Sequence, residues 1–170
     1  MMESLTITQA QKLTSPNPFA LISTVAADGK NNLMALSWWT YLSNHPATVG
    51  VCLSKRGYSG GLIARSGEFC LCVPSAALRE SALKCGHCSG RDHDKAAEFG
   101  IALAPAEHVT AMRVRDSRLV LECRLVQQVE LGDHVFYIAE VAGAYGDAAA
   151  AGLYAMEGYR CLNTVAESAE

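Results

Sequence analysis

The chain has 170 residues, 50% hydrophobic and 18% charged, which is enough to bury a core and short enough that one domain is the default. A formal charge of −3, with no basic run longer than pairs such as Lys55-Arg56, excludes a nucleic-acid or anionic-membrane partner, which needs a basic field. No apolar stretch approaches the ~18–20 residues of a membrane span, the N-terminus lacks a charged region followed by an apolar one, and seven cysteines scattered through apolar runs suit reduced thiols, so a cytoplasmic location is expected.

Residues 4–14 form a short amphipathic helix with Leu5, Ala10 and Leu13 on its apolar side, stopped by Ser15-Pro16-Asn17-Pro18. Phe19–Ala26 is an apolar, partly β-branched strand. Asp28-Gly29 is a tight-turn signal, and Asn32–Thr40 returns as the second strand. Asn44-His45-Pro46 marks a loop and Thr48–Leu53 a third strand; short connections make the three antiparallel neighbours. A Gly-rich turn, Ser54 to Gly61, leads into a helix of about two turns through Leu62–Arg65. Glu68–Val73 is a fourth strand closed by Pro74, and Ser75 caps a helix over Ala76–Lys84.

Cys85–Asp94 is irregular and polar, followed by a short helix Lys95–Phe99 ended by Gly100. The region to Arg115 reads as loop with weak strand content. Ser117–Gln128 alternates, with Leu119, Leu121, Cys123 and Leu125 on one face and Arg118, Glu122, Arg124 and Gln128 on the other, the pattern of a half-buried strand. Leu131-Gly132-Asp133 turns the chain into His134–Tyr145, its partner. The Ala-rich tail Asp147–Met156 is helix-compatible, and Gly158-Tyr159-Arg160 is the last ordered stretch expected. Six or more antiparallel strands with small inserted helices point to a mainly β fold, a closed or strongly curved barrel that hides its edges.

Asn31–Ser59 carries the chemistry. Its strands hold hydroxyls, amides and cations that a plain core would not use, since each unpaired buried polar group costs about 1–3 kcal/mol. At its far end Lys55 and Arg56 lie among Ser54, Gly57, Ser59, Gly60 and Gly61 before a helix start, where backbone N–H groups and a guanidinium suit a phosphate. A solvated basic hairpin is the bland alternative. Trp38 and Trp39 point to opposite faces of a strand, so at most one can pack on a flat ring.

The chain resembles the flavin reductase-like proteins with the FMN-binding split barrel, and among them the flavoredoxin-like branch. The matching pieces, in order, are Asp28-Gly29-Lys30-x-Asn32-x-Met34, Ser37-Trp38, Ser43-x-x-Pro46, Arg56-x-x-Ser59, Gly67-Glu68-Phe69, Ser89-Gly90-Arg91-x-x-Asp94-Lys95, Glu122-Cys123, and Gly132-Asp133-His134 with Glu140-Val141, covering about residues 18–145. The resemblance implies an antiparallel split β-barrel, a homodimer, and FMN near the subunit interface. Asn32, Met34, Ala35 and Ser37, with Trp38, would follow the isoalloxazine and ribityl chain. Ser54, Arg56 and Ser59 would hold the phosphate, with Ser89 and Lys95 contributing, and His134 would face the nicotinamide side. Ser59 stands where Thr is common and Cys72 where Asn is common.

The implied activity is hydride transfer from NADH or NADPH to flavin N5; the rival is an electron carrier serving a redox partner protein. Cys85-Gly86-His87-Cys88 also matches the active-site tetrapeptide of disulfide isomerases. There it opens a helix, whereas here it follows one, and the dipole disfavours the thiolate. No second Cys pair completes a metal site with Cys85, Cys88 and His87 or His93, so no metal is expected.

Overall fold

The computed structural model describes residues 2–165. Thr6 starts helix α1 (Ile7–Leu13) through a capping box in which its hydroxyl accepts from the Gln9 N–H and the Gln9 side chain accepts from the Thr6 N–H. Strands β1 (Asn17–Pro18), β2 (Ala20–Val25), β3 (Asn31–Leu36), β4 (Trp39–Asn44) and β5 (Ala47–Ser54) follow, with Gly29 at φ 82° in the β2–β3 turn. Helix α2 (Tyr58–Ser66) ends at left-handed Gly67 and leads into β6 (Glu68–Pro74). A 3-10 turn at Ala76–Leu78 precedes α3 (Arg79–Cys85) and α4 (Lys95–Glu98). The remainder is β7 (Leu103–Ala104), β8 (Arg113–Val114), β9 (Ser117–Leu131), β10 (His134–Gly146), β11 (Tyr154–Met156) and β12 (Cys161–Asn163).

Seven strands form one antiparallel sheet in the order β3-β2-β6-β9-β10-β5-β4. Laid flat, its edge strands would stand about 29 Å apart at the usual strand spacing. Yet the edges, β3 and β4, are joined by Ser37 and Trp38 alone, a link reaching about 11 Å at most. The sheet must therefore roll up, giving the antiparallel barrel expected. The single strand read over Asn32–Thr40 is thus two strands, broken where the chain crosses from one edge to the other.

Alternation along the strands builds two cores. Ala20, Ile22, Val49, Val51, Phe69, Leu71, Leu121, Cys123, Tyr137 and Ala139 fill the barrel, and α2 adds Ile63. Leu21, Leu33, Cys70 and Cys72 face outward against Leu78 and Ala82 of the α3 region and Leu153 and Leu162 of the C-terminal strands. Strands β2 and β6 are covered on both sides, which is why their sequences are continuously apolar.

Two further expectations are corrected. The Ala-rich tail is no helix: its alanine run ends at Gly152, too short to nucleate, and Arg118 takes the Ala148 and Ala150 carbonyls as the chain passes into β11. Ser75 makes no side-chain cap, and the helix proper begins at Arg79.

Candidate functional site

Rolling the sheet leaves a split beside β3. Among the described residues this edge strand bonds only β2, so alternate N–H and C=O groups along its other side meet no described strand. Across the gap β5 runs on past the end of β4, with the Cys52 N–H donating to the Trp38 carbonyl (2.8 Å) as the last link. A cavity of about 520 Å³ fills this gap, lined by Met34–Trp38, Cys52–Ser54, His134 and Tyr159, with Gln11 and Lys12 of α1 at its side. A second, of about 330 Å³, abuts it and is lined by Asn32, Arg56–Ser59, His87–Gly90 and Lys95. Met34, Gly86 and His87 line both.

The larger cavity is mostly apolar and flat-sided. Trp38 stacks on His134 with ring centroids 4.9 Å apart and planes 30° apart. The His134 Nδ1 is bonded to the Asp133 carboxylate at 2.8 Å, and that bond holds the Asp133 carboxyl below the usual carboxylate range. Nε2 is the nitrogen left to meet a ligand. Tyr159 reaches the same cavity from the far end of the chain. Its hydroxyl accepts from the Ser37 N–H and its ring packs edge-on against Phe19, 6.4 Å between centroids. Burial pushes its pKa up, so the phenol keeps its proton.

The smaller cavity is built around the start of α2. Gly57 is its N-cap and offers no side-chain cap, so the first N–H groups of this nine-residue helix face the cavity unpaired within it. Arg56 makes no salt bridge among the described residues. Asn32 is buried and donates to both the Thr24 hydroxyl (3.0 Å) and the Ser59 hydroxyl (2.9 Å), tying β3 to β2 and α2. Lys95 is 5% exposed, and its ammonium donates to the Cys85 carbonyl at 2.7 Å. Burial lowers its pKa, against the opposing pull of the Cys85 and Cys88 thiols.

The residues singled out in the sequence therefore line two neighbouring cavities that share a wall. Met34, Ala35, Ser37, Trp38 and His134 line the larger part; Asn32, Arg56, Ser59, Ser89 and Lys95 line the smaller. Ser54, grouped with Arg56 and Ser59 on sequence, lies instead on the larger part, because its hydroxyl turns back to accept the Arg56 N–H at 3.3 Å. Ser89 likewise accepts the Arg91 N–H (3.2 Å). Trp38, not Trp39, is the tryptophan on the cavity; Trp39 packs edge-on against Tyr41. Tyr159 and the α1 residues were not visible as site residues, since their partners lie over a hundred residues away or across a proline break.

Comparison with known proteins gives the family and the fold. The sequence matches the flavin reductase like domain over residues 13–163. It is 32% identical over 120 residues to an uncharacterized protein of Archaeoglobus fulgidus, covering 70% of this chain and 68% of that one. The chain spans 55–68% of the length of the first archaeal relatives it matches. Among solved structures, flavoredoxin of Desulfovibrio vulgaris (Miyazaki F) superposes with a TM-score of 0.86 at 27% identity, covering 100% of this chain and 96% of that one. A protein with a split barrel domain from Shewanella frigidimarina NCIMB 400 gives 0.85 at 19% identity, covering 98% and 93%. With a match that spans 151 of its 170 residues, this split-barrel chain belongs to the flavin reductase like domain family.

Proposed function

We propose that this chain binds FMN across the two abutting cavities and reduces it with NADH or NADPH. The observation that carries the reading is the pairing itself: a flat apolar space on an open strand edge, joined to a recess where Arg56, Lys95 and the free N–H groups of α2 converge. The donor set fits the group. The recess supplies cationic and N–H donors for a phosphate, and the free side of β3 supplies backbone donors and acceptors for the polar rim of a flavin ring.

Bound flavin would supply the redox chemistry, taking hydride from the nicotinamide C4 at its N5. The chain's own part is to bind and orient. Arg56, Ser59 and the α2 N–H groups offset the phosphate charge, while Asn32 holds Ser59 in place. Met34 and Ala35 form one apolar wall. His134, fixed by Asp133 and covered by Trp38, closes the mouth where a second ring must stack and keeps water from it. Titrating the apoprotein with FMN and mixing the complex rapidly with NADH and NADPH tests this. Tight binding with fast bleaching is the expected result, and a protein that takes up no FMN overturns it.

The likeness to flavoredoxin favours a second reading, an electron carrier that keeps FMN and serves a redox partner protein. It predicts bleaching by a reduced partner protein only. In either reading the protein works as a homodimer, because β4, β5, β10 and the outer half of β9 present Leu42, Phe136, Ile138, Val129 and Leu131 on an outer face that no other described element covers. The described helices include none long and apolar enough to cross a membrane. Seven unbridged thiols fit a reducing, cytoplasmic setting.

A further inference from the structure

Cys85 and Cys88 take no part in the flavin reading, and their setting differs from that of the other thiols. Cys70 and Cys72 project from one face of β6 with Cα atoms about 6.6 Å apart, near the limit for a disulfide, and both lie in the dry core. Cys85 is the last residue of α3, and the helical turn continues past it. The Gly86 N–H donates to the Leu83 carbonyl (3.1 Å), the His87 N–H to the Lys84 carbonyl (3.0 Å), and the Cys88 Sγ approaches the same Lys84 carbonyl at 4.0 Å. Residues three apart on such a turn share a side, with Cβ atoms about 5–6 Å apart, against about 3.5–4.5 Å in a disulfide. Closure needs a movement of only about 1–2 Å.

The two thiols are unequal. Cys85 is 1% exposed, while Cys88 is half-buried on the wall of the smaller cavity. Burial pushes the Cys85 thiol up to about 11, whereas Cys88 sits where solvent and the smaller cavity reach it. The buried Lys95 ammonium, bonded to the Cys85 carbonyl, is the offsetting charge. Thiols whose thiolates are poorly stabilised form disulfides that resist reduction once made. Among the described residues no third ligand joins the pair to make a metal site.

We propose that Cys85 and Cys88 form a reversible thiol–disulfide site for small dialkyl disulfides, and that closing the bond loosens the smaller cavity. The Cys88 thiolate attacks one sulfur of the disulfide RSSR, forming a mixed disulfide and releasing one RS⁻. Cys85 then loses its proton to solvent, attacks the Cys88 sulfur and releases the second RS⁻. Two protein thiols are oxidised and one disulfide is reduced to two thiols, with protons and electrons balanced. Because Cys85 is fixed in the core, the movement falls on Cys88–Gly90. That segment lies hard against the site: a Cβ on Gly90 would stand 1.8 Å from the Asn32 Oδ1, and Asn32 holds Ser59.

The thiol chemistry and the movement of the turn stand independently of FMN; only an effect on FMN affinity rests on the flavin reading. The full chain is equilibrated with reduced and oxidised glutathione, quenched by alkylation and peptide-mapped, and amide exchange is followed over residues 86–95. The expected oxidised form loses two of its seven alkylation sites, carries a Cys85–Cys88 bond, and exchanges about tenfold faster over those residues. Cys85→Ser should trap glutathione on Cys88, and Cys88→Ser, at the more exposed position, should form no bond. All seven cysteines alkylated under the most oxidising mixture, or a bond formed with unchanged exchange, overturns the proposal. If these results hold while FMN binds neither form, the flavin reading falls and the thiol site stands; if FMN binds, its Kd should rise about fivefold on oxidation.

Discussion

At the scale of single residues, the site and the frame rely on charge in opposite ways. Arg56 is exposed, and its side chain has no salt-bridge partner among the described residues, so the fold gains little from its charge. Arg56→Ala should leave the melting temperature within a degree or two and raise the Kd for FMN about 10- to 100-fold, the worth of a charge-assisted hydrogen bond of about 1.5–3 kcal/mol; an unchanged titration of the apoprotein removes the assignment. Glu122 is the reverse case. It is fully buried and accepts from the Glu107 and His108 N–H groups and from Arg113, whose guanidinium also lies 3.6 Å from the centre of the Tyr145 ring. Burial alone would raise its pKa, but these three donors outweigh that and hold it below the ordinary 4.5. Its folded pKa is depressed, so its contribution is complete above pH 4.5 and drains away as pH falls through the lower folded value. Melting curves of the wild type should therefore drop below that pH. Glu122→Gln should show a shallower acid slope and lose about 3 kcal/mol at neutral pH, the low end for breaking a buried pair, because Arg113 keeps Glu107 and Tyr145.

At the scale of elements, what positions the site is contact between segments far apart in the chain. The turn after α3 presses on β3 through Gly90, with no room for a side chain against an Asn32 amide already committed to Thr24 and Ser59. Gly90→Ala should force the turn outward, costing about 1–3 kcal/mol of stability as overpacking does and weakening FMN binding at least as much as it lowers the melting point; a variant with normal affinity and stability would show that the turn does not hold the site. Such contacts also mark the limit of what could be read beforehand. The β2–β3 hairpin and the β9–β10 pair were legible because Asp28-Gly29 and Gly132-Asp133 are local turn signals between strand-like runs. Glu122 was not, since alternation alone assigns it to the solvent face, and its cover is the segment between α4 and β9, with Glu107, His108 and Arg113 of β8. The break at Ser37-Trp38 was invisible for a similar reason: only the closing of the sheet requires it. Tyr159 meets Ser37 across 122 residues, with no local pattern to announce it.

At the scale of the whole molecule, the barrel has a finished side and an unfinished one. Strands β2 and β6 are covered on both faces, whereas the outer face of β4, β5, β10 and the distal half of β9 keeps Leu42 43%, Val129 36% and Leu131 50% exposed. Gly50 lies at the centre of that surface: a Cβ there would lie 2.1 Å from the Phe136 ring and 3.1 Å from Leu42, so only glycine leaves room for the ring across the strand. The strand register then places His134 opposite Leu131 and Ser54, at the margin of the patch, so the mouth of the larger cavity opens beside it. A stable protein–protein contact needs about 800 Å² from each partner, and isologous pairing of this one face is the simplest way to cover it. Sedimentation at micromolar concentration should give twice the 18.1 kDa chain mass. Leu42→Glu together with Val129→Glu should return the single-chain mass with the barrel still folded by circular dichroism. Because the cavity mouth borders the patch, the same double variant should bind FMN more weakly than the parent, whereas Arg56→Ala should stay dimeric. A wild-type protein that sediments at the single-chain mass would end the pairing argument, and a folded double variant with full FMN affinity would show that the cavity is complete within one chain.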